Sequence, residues 1–271
     1  MIDLHLHTTA SDGLLSPDAL VARAAGSGLQ IISVTDHDTL AGFPAASAAA
    51  RRYGLQLVAG VEITAVEEGR DVHMLAYFFD PAHEGLTAFL ETQRENRLRR
   101  VGQIADRLSA LGFQIEFDVR KSVTSPGASI GRPQIADALI AAGHARDRDD
   151  AFDRFLGDGR PAFVPRIGPV PETVLSVVGQ ARGIVSMAHP GLTQMDHIIP
   201  RLAAAGLASL EARHSDHDAA TESRYRALAA ELGLAVSGGS DFHGDSGRRK
   251  DRIGRVTITA EELLALETRR R

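Results

Sequence analysis

The chain contains no cysteine, which excludes disulfides, thiolate metal sites and a cysteine nucleophile, and fits a reducing compartment. No stretch approaches the run of about 20 apolar residues that a bilayer requires. The opening Met1-Ile2-Asp3-Leu4-His5-Leu6-His7 has no basic region followed by an apolar stretch. No secretory signal is therefore expected, and the cytoplasm is the expected location. Lysine is nearly missing too: among 30 basic residues, only Lys121 and Lys250 are lysines. Arginine suits bidentate phosphate binding, although GC-rich coding explains the same ratio. A net charge of −5 argues against a surface that coats nucleic acid, and no stable duplex partner is implied.

What is present is ordinary for a globular enzyme: 271 residues, 44% hydrophobic and 24% charged. That length fits one barrel-sized domain or two small ones. Alternation of apolar and polar residues predicts a strand over Ile2–His7. Ser16-Pro17-Asp18 opens a helix, with serine as cap and proline in the first turn. Further strands are expected at Ile31–Thr35, Leu55–Thr64, Val72–Phe79, Ile184–Ala188, Ser209–Ala212 and Ala235–Gly238. Glu67-Glu68-Gly69-Arg70 reads as a hairpin turn between the third and fourth. From about Glu84 to Arg166 the strand signal vanishes, and helical spacing takes over at Leu86–Leu111, Arg132–Ala142 and Arg148–Leu156. Short, regular strands separated by helices suggest an α/β fold with a closed or nearly closed barrel. Residues 1–83 and 166–271 would form it, with 84–165 as a helical insertion capping one end.

Seven of the 11 histidines fall on or just after predicted strands. His5 and His7 are two apart on the first strand, so the pleat points both to one face. Asp12 follows in the next turn, Asp36-His37-Asp38 ends the second strand, and Glu62 and His73 lie on the third and fourth. His189, Glu211, His214, Asp241 and His243 follow or end the last three. In barrels, the C-terminal strand ends are where active sites are assembled. Singly, each residue has a plainer reading as turn chemistry, a surface residue or a satisfied core histidine. Collectively they do not, because a core of unpaired imidazoles and carboxylates costs several kcal/mol per group, and metal removes that cost. His83, His144, His197 and His217 fall outside the pattern and read as surface residues.

Several blocks together resemble the PHP (polymerase and histidinol phosphatase) family. They are Asp3-Leu4-His5-Leu6-His7-Thr8, Ser11-Asp12-Gly13, Thr35-Asp36-His37-Asp38-Thr39, Gly60-Val61-Glu62, His189-Pro190 and Gly239-Ser240-Asp241-Phe242-His243. The resemblance implies a distorted (β/α)7 barrel and a three-metal site holding manganese, zinc or iron. It also implies a ligand distribution. His5, His7 and Asp241 would hold one ion and share Glu62 with a second, which His73 and His189 would complete. Asp12, His37 and His243 would hold the third, and Asp36 would orient a ligand from behind. The insertion with Gly131-Arg132-Pro133 resembles a branch of small bacterial nucleotide phosphoesterases. Members of that branch remove the 3′-phosphate of 3′,5′-bisphosphonucleotides or trim short RNA from its 5′ end. One block departs from the pattern: Glu211-Ala212-Arg213-His214 has no aromatic residue before the histidine. Arg213 then contacts phosphate or faces solvent, and the sequence leaves both open.

Nitrogen and oxygen ligands without thiolate suit manganese, zinc or iron. Clustered divalent ions outweigh three carboxylates, attract phosphate and lower the pKa of water for direct attack at phosphorus. Arg132 is the expected phosphate grip, because its planar fork matches two oxygens; bracing the insertion is the alternative. His214 binds phosphate, protonates the leaving group, or supports a ligand from behind. The run Arg94, Arg97, Arg99 and Arg100 reads as a solvated helix face or as a second phosphate site, and Gly247-Arg248-Arg249-Lys250 carries the same ambiguity. The expected substrate is a nucleotide or short oligonucleotide. Histidinol phosphate is the nearest alternative. An amidohydrolase fits less well, because neither Lys121 nor Lys250 is placed to bridge metals. A non-catalytic metal-binding module also fits less well, because no ligand position is missing.

Overall fold

The computed structural model describes residues 1–118, 125–244 and 250–270. Seven strands form one sheet in chain order: β1 Ile2–Leu6, β2 Ile31–Val34, β3 Gln56–Glu67, β4 Arg70–Tyr77, β5 Ile184–Met187, β6 Ser209–His214 and β7 Ala235–Gly239. A parallel bridge between Leu6 and Phe242 brings the two edges together, and the sheet curls into a nearly closed barrel. All neighbours are parallel except those of β4, which runs antiparallel to both β3 and β5. The fold is therefore the expected distorted (β/α)7 barrel.

The reversal at β4 follows from the turn. β3 runs to Glu67, three residues past the expected end, and only Glu68 and Gly69 separate it from β4. Both turn residues have positive φ (51° and 75°), the geometry of a tight hairpin loop that no crossover helix can replace. A consequence is register: Glu62 pairs with Leu75, Thr64 with His73 and Val66 with Asp71.

Alternation on β1 sets the layers. Leu6 packs outward with Leu20, Val21 and Ala24 of the helix Pro17–Gly26, which Ser16 caps by accepting the Ala19 N–H. The odd residues Asp3, His5 and His7 are fully buried and polar. Asp3 accepts the backbone N–H groups of His5 and Ser240 and so ties β1 to the end of β7.

Between β4 and β5 lie the helices Glu84–Ala110, Arg132–Ala141 and Arg148–Ala151, the last running into a π-helical turn at Phe152–Leu156, and then the helix Pro171–Gln180, which packs on the barrel through Val174, Leu175 and Val178. The first, 27 residues long, spans about 40 Å. Its first turns pack Leu86 and Leu90 against the barrel's apolar cluster. Further along, Val101, Ile104 and Leu108 enter a separate cluster with Ile135, Leu139 and Phe155. A further helix, Ala260–Glu267, opens with a Thr259–Glu262 capping box and has no counterpart among the helices expected from the sequence. Among the described residues, no helix is long and apolar enough to cross a membrane.

Candidate metal centre

One carboxylate organises the site. Glu62, 1% exposed, stands where β3 passes the ends of β1 and β2. Its Oε2 lies 3.2 Å from His5 Nε2, 3.2 Å from His7 Nε2 and 3.3 Å from His37 Nδ1. Its Oε1 lies 2.8 Å from His73 Nδ1 and 3.2 Å from His189 Nε2. Five imidazoles therefore ring a single buried carboxyl group. Asp12 faces His7, His37 and His243 at 3.6, 3.6 and 3.3 Å. Asp241 faces His5 and His7 at 3.4 and 3.2 Å.

The contacts of His5 and His189 with Glu62 are aligned as hydrogen bonds, whereas several of the others are close but poorly directed. Both ring nitrogens of His7, and Nδ1 of His37 and of His73, lack a hydrogen-bond partner among the described residues. Atoms that approach one another without hydrogen-bond alignment are instead aimed at shared points between them. Four such points emerge, each surrounded by donor atoms within 4.8 Å of one another: His7/Asp12/His37/His243, His5/His7/Asp241, His37/Glu62/His73 and His5/Glu211/His214. The all-oxygen-and-nitrogen donor set fits divalent ions of the manganese, iron and zinc type.

The surrounding bonds fix which ring nitrogen is free. His5 Nδ1 donates to Glu211 Oε1 at 2.8 Å, leaving Nε2 toward Glu62 and Asp241. His243 Nδ1 donates to the Asp241 carbonyl at 2.9 Å, leaving Nε2 toward Asp12. Such outer partners set the tautomer and orientation of metal-binding imidazoles. Asp36 accepts the Thr8 N–H, the Thr8 hydroxyl and the Ser11 hydroxyl within 2.7 Å, which pins the loop carrying Asp12. Glycine is needed at two points: a Cβ on Gly13 would meet the His7 carbonyl oxygen at 2.4 Å, and one on Gly239 the His5 nitrogen at 2.4 Å. Three residues at the site, Asp38, His189 and Asp241, hold positive φ of 53°, 27° and 49°.

The electrostatics are divided. Burial opposes charge on His5, but Glu211, Asp241 and Glu62 overturn it and hold the ring well above the usual imidazole range. Burial opposes charge on His7 as well, but the neighbouring carboxylates of Asp241, Glu62 and Asp12 overturn it and raise the ring to about 10. Burial pushes His37 well down, and the nearby carboxylates do not compensate. Glu62 and Asp12 stay well below the carboxylate range despite burial, because histidines surround both.

Glu211 was placed on its strand by the sequence but given no role. It is fully buried, and besides His5 it accepts the His189 backbone N–H at 2.8 Å. A glutamate flanked by Leu210 and Ala212 on a buried strand was the available signal. His214 accepts the Asp216 N–H on Nδ1 and donates from Nε2 to Asp241 Oδ2 at 3.2 Å. Arg213 turns away to Glu222 at 3.4 Å. Arg132 is 20% exposed, 3.2 Å from Asp158 and 3.6 Å from Asp71, with the rings of Phe152 and Phe163 beneath its guanidinium. His217 is half-buried against Tyr225 rather than on the surface. Lys121 and Gly247-Arg248-Arg249 lie outside the described residues, and Lys250 is exposed.

Comparison with known proteins agrees with this geometry. The PHP domain model matches residues 3–120. A 5′-3′ exoribonuclease from Haemophilus influenzae is 35% identical over 246 residues, 89% of each chain. A 3′,5′-nucleoside bisphosphate phosphatase from Chromobacterium violaceum is 33% identical over 254 residues, 91% of this chain and 89% of its own. A crystal structure from Bifidobacterium adolescentis, described as a metal-dependent phosphoesterase, superposes with a TM-score of 0.90 at 36% identity, covering 100% of this chain and 96% of its own. Barrel, donor cluster and relatives together define a metal-dependent phosphoric ester hydrolase. The chain belongs to the PHP family.

Proposed function

We propose that the chain hydrolyses nucleotide phosphate esters, releasing the 3′-phosphate of 3′,5′-bisphosphonucleotides, trimming short RNA from its 5′ end, or both. The observation that carries this reading is the Glu62 carboxylate, ringed by His5, His7, His37, His73 and His189 within 3.3 Å. Three divalent ions, manganese foremost, fit the donors. His5, His7 and Asp241 would hold one, and His73 and His189 a second, with Glu62 between them; Asp12, His37 and His243 would hold the third. Bound ions would supply Lewis acidity and a lowered water pKa beside phosphorus.

The chain's own residues do the rest. Glu211 orients His5, and His214 orients Asp241 by donating to Oδ2. Arg132, at the rim, supplies a planar fork for phosphate oxygens. Water attacks phosphorus, the ester P–O bond breaks and the leaving oxygen takes a proton, with no covalent intermediate. Segment 84–165 would act as a cap over the barrel mouth, and the cytoplasm is the proposed location.

The test is a screen of manganese-reconstituted protein against mononucleotides, bisphosphonucleotides, 5′-phosphorylated short RNA and histidinol phosphate. Turnover should be confined to nucleotide phosphoesters. His5→Ala should lose at least about a hundredfold, as expected when a metal site is broken. Full activity in that variant, or a preference for histidinol phosphate, would refute the reading.

A further inference from the structure

The loop that carries Asp12 is held from two sides. From the barrel, Asp36 accepts the Thr8 and Ser11 hydroxyls. From the helical segment, three successive carbonyls of the same loop each receive a hydrogen bond. The Ser129 N–H donates to the Ala10 carbonyl at 2.8 Å, Gln134 Nε2 to the Ser11 carbonyl at 2.6 Å and Arg148 Nη1 to the Asp12 carbonyl at 3.4 Å. A further bond joins the segment to the loop after β2, where Thr39 Oγ1 donates to the Gly127 carbonyl at 2.6 Å. Arg97 and Arg100, buried rather than on a solvated helix face, anchor the segment as well. Arg97 Nε donates to Asp38 Oδ2 at 2.5 Å, beside His37, and Arg100 Nε to the Val164 carbonyl at 2.8 Å.

The donors are themselves fixed. Gln134 Oε1 accepts the Gly131 N–H at 2.8 Å, which turns its amide nitrogen toward Ser11. Arg148 gives Nε and Nη2 to the two oxygens of Asp137, both at 2.7 Å, which leaves Nη1 for Asp12. The receiving loop has little slack. The Thr8 carbonyl accepts the Ser11 and Gly13 N–H groups at 3.0 and 2.9 Å, and Gly13 has no room for a Cβ. The Leu14 N–H then donates to the His243 carbonyl at 2.6 Å. A shift of this loop therefore moves Asp12 and His243 together.

The segment acts on one donor point in particular. Asp12, His37 and His243 share a point with His7, and the segment's bonds end on the loops around Asp12 and His37. The other points are braced from within the barrel: Glu211 holds His5 and the His189 backbone, and His214 holds Asp241. Partners behind a ligand govern how well it holds metal. We infer that Gln134 and Arg148 are positioning residues for the third metal ion, so that docking of the helical segment and filling of the Asp12, His37 and His243 position are coupled. The coupling rests on the proposed placement of that ion. It is reciprocal: the ion also tightens the segment onto the barrel.

The test counts ions rather than turnover. Metal-free full-length protein is dialysed to equilibrium against increasing manganese, and bound ions per chain are measured by elemental analysis. The parent should take three, and Asp12→Asn should lose one. Gln134→Met and Arg148→Gln should bind the third about 10- to 100-fold more weakly and the first two as before. Gln134→Glu still accepts the Gly131 N–H but cannot donate to Ser11. It should weaken like Gln134→Met, although its added charge favours a cation. Under saturating manganese, hydrogen exchange over residues 132–141 should be slower in the parent than in Asp12→Asn. Parent-like affinity for the third ion in Gln134→Met and Arg148→Gln, with Asp12→Asn deficient, overturns the inference and leaves the three-ion reading standing. Parent-like affinity in Gln134→Glu alone marks a helix cap and defeats it too, as does equal exchange in parent and Asp12→Asn. Equal weakening of all three ions marks a general loosening of the fold and counts against it. A parent that holds fewer than three ions, or an Asp12→Asn variant that keeps all three, sinks the placement and the coupling with it.

Discussion

The barrel strands and the helices that follow β4 put opposite chemistry side by side. The barrel brings Glu62, Asp12, Asp241 and seven histidines together as electron-pair donors, a setting for cations. The segment and its exit bring Arg97, Arg100, Arg132 and Arg166 as hydrogen-bond donors, a setting for anions. They meet along the β3–β4 hairpin, which carries Glu62, Thr64, Asp71 and His73 on one face. A site for phosphate esters needs both, and here each has its own structural source. Reaction and recognition can therefore be altered separately.

Perturbations of the barrel should give the largest effects. Glu62→Gln keeps the volume but removes the shared charge, and should cut turnover by more than about a hundredfold with loss of bound metal. Metal content by elemental analysis checks it; a fully loaded variant would break the comparison. Glu211→Gln acts from behind His5 and should weaken metal binding about 10- to 100-fold, measured by competition with a chelator. Acid should act on the barrel alone. His5 and His7 hold protons at neutral pH in the metal-free protein, because their folded pKa values are raised. Binding must expel those protons, so affinity should drop as pH falls, by about tenfold per unit for each proton displaced. Proton release on metal addition to weakly buffered protein checks the sign; uptake would reverse it. The smallest effect belongs to Arg99, exposed between Arg97 and Arg100 on the same helix and bonded only to Asn96 among the described residues. Arg99→Ala should shift stability by less than about 0.5 kcal/mol and leave turnover untouched, which separates the buried arginines from helix charge in general.

The two regions also differed in how far their sequences could be read. Barrel strands announce themselves through period-two patterns and through histidines at fixed offsets, so β1, β2 and β5 were placed within a residue of their observed ends. The strand end at Glu67 was missed because Ala65, Val66 and Glu67 continue the pairing past the last clear alternation. In the segment, helices were visible but not their orientation. Arg97 and Arg100 read as solvent-facing because arginines usually are; Asp38 and Asp71, which hold them inside, are distant in sequence. Glu211 stayed without a role for the same reason: its partner His5 is 206 positions away.

The positive φ values at Asp38, His189 and Asp241 limit how the protein can be hardened. Each left-handed non-glycine residue costs roughly 1–3 kcal/mol, and glycine is the usual remedy. Here that remedy would delete a side chain from the reactive centre itself. An engineer seeking a heat-tolerant form would leave those three bends alone and work on the outer helices, accepting a fold whose most taut points are also its most useful.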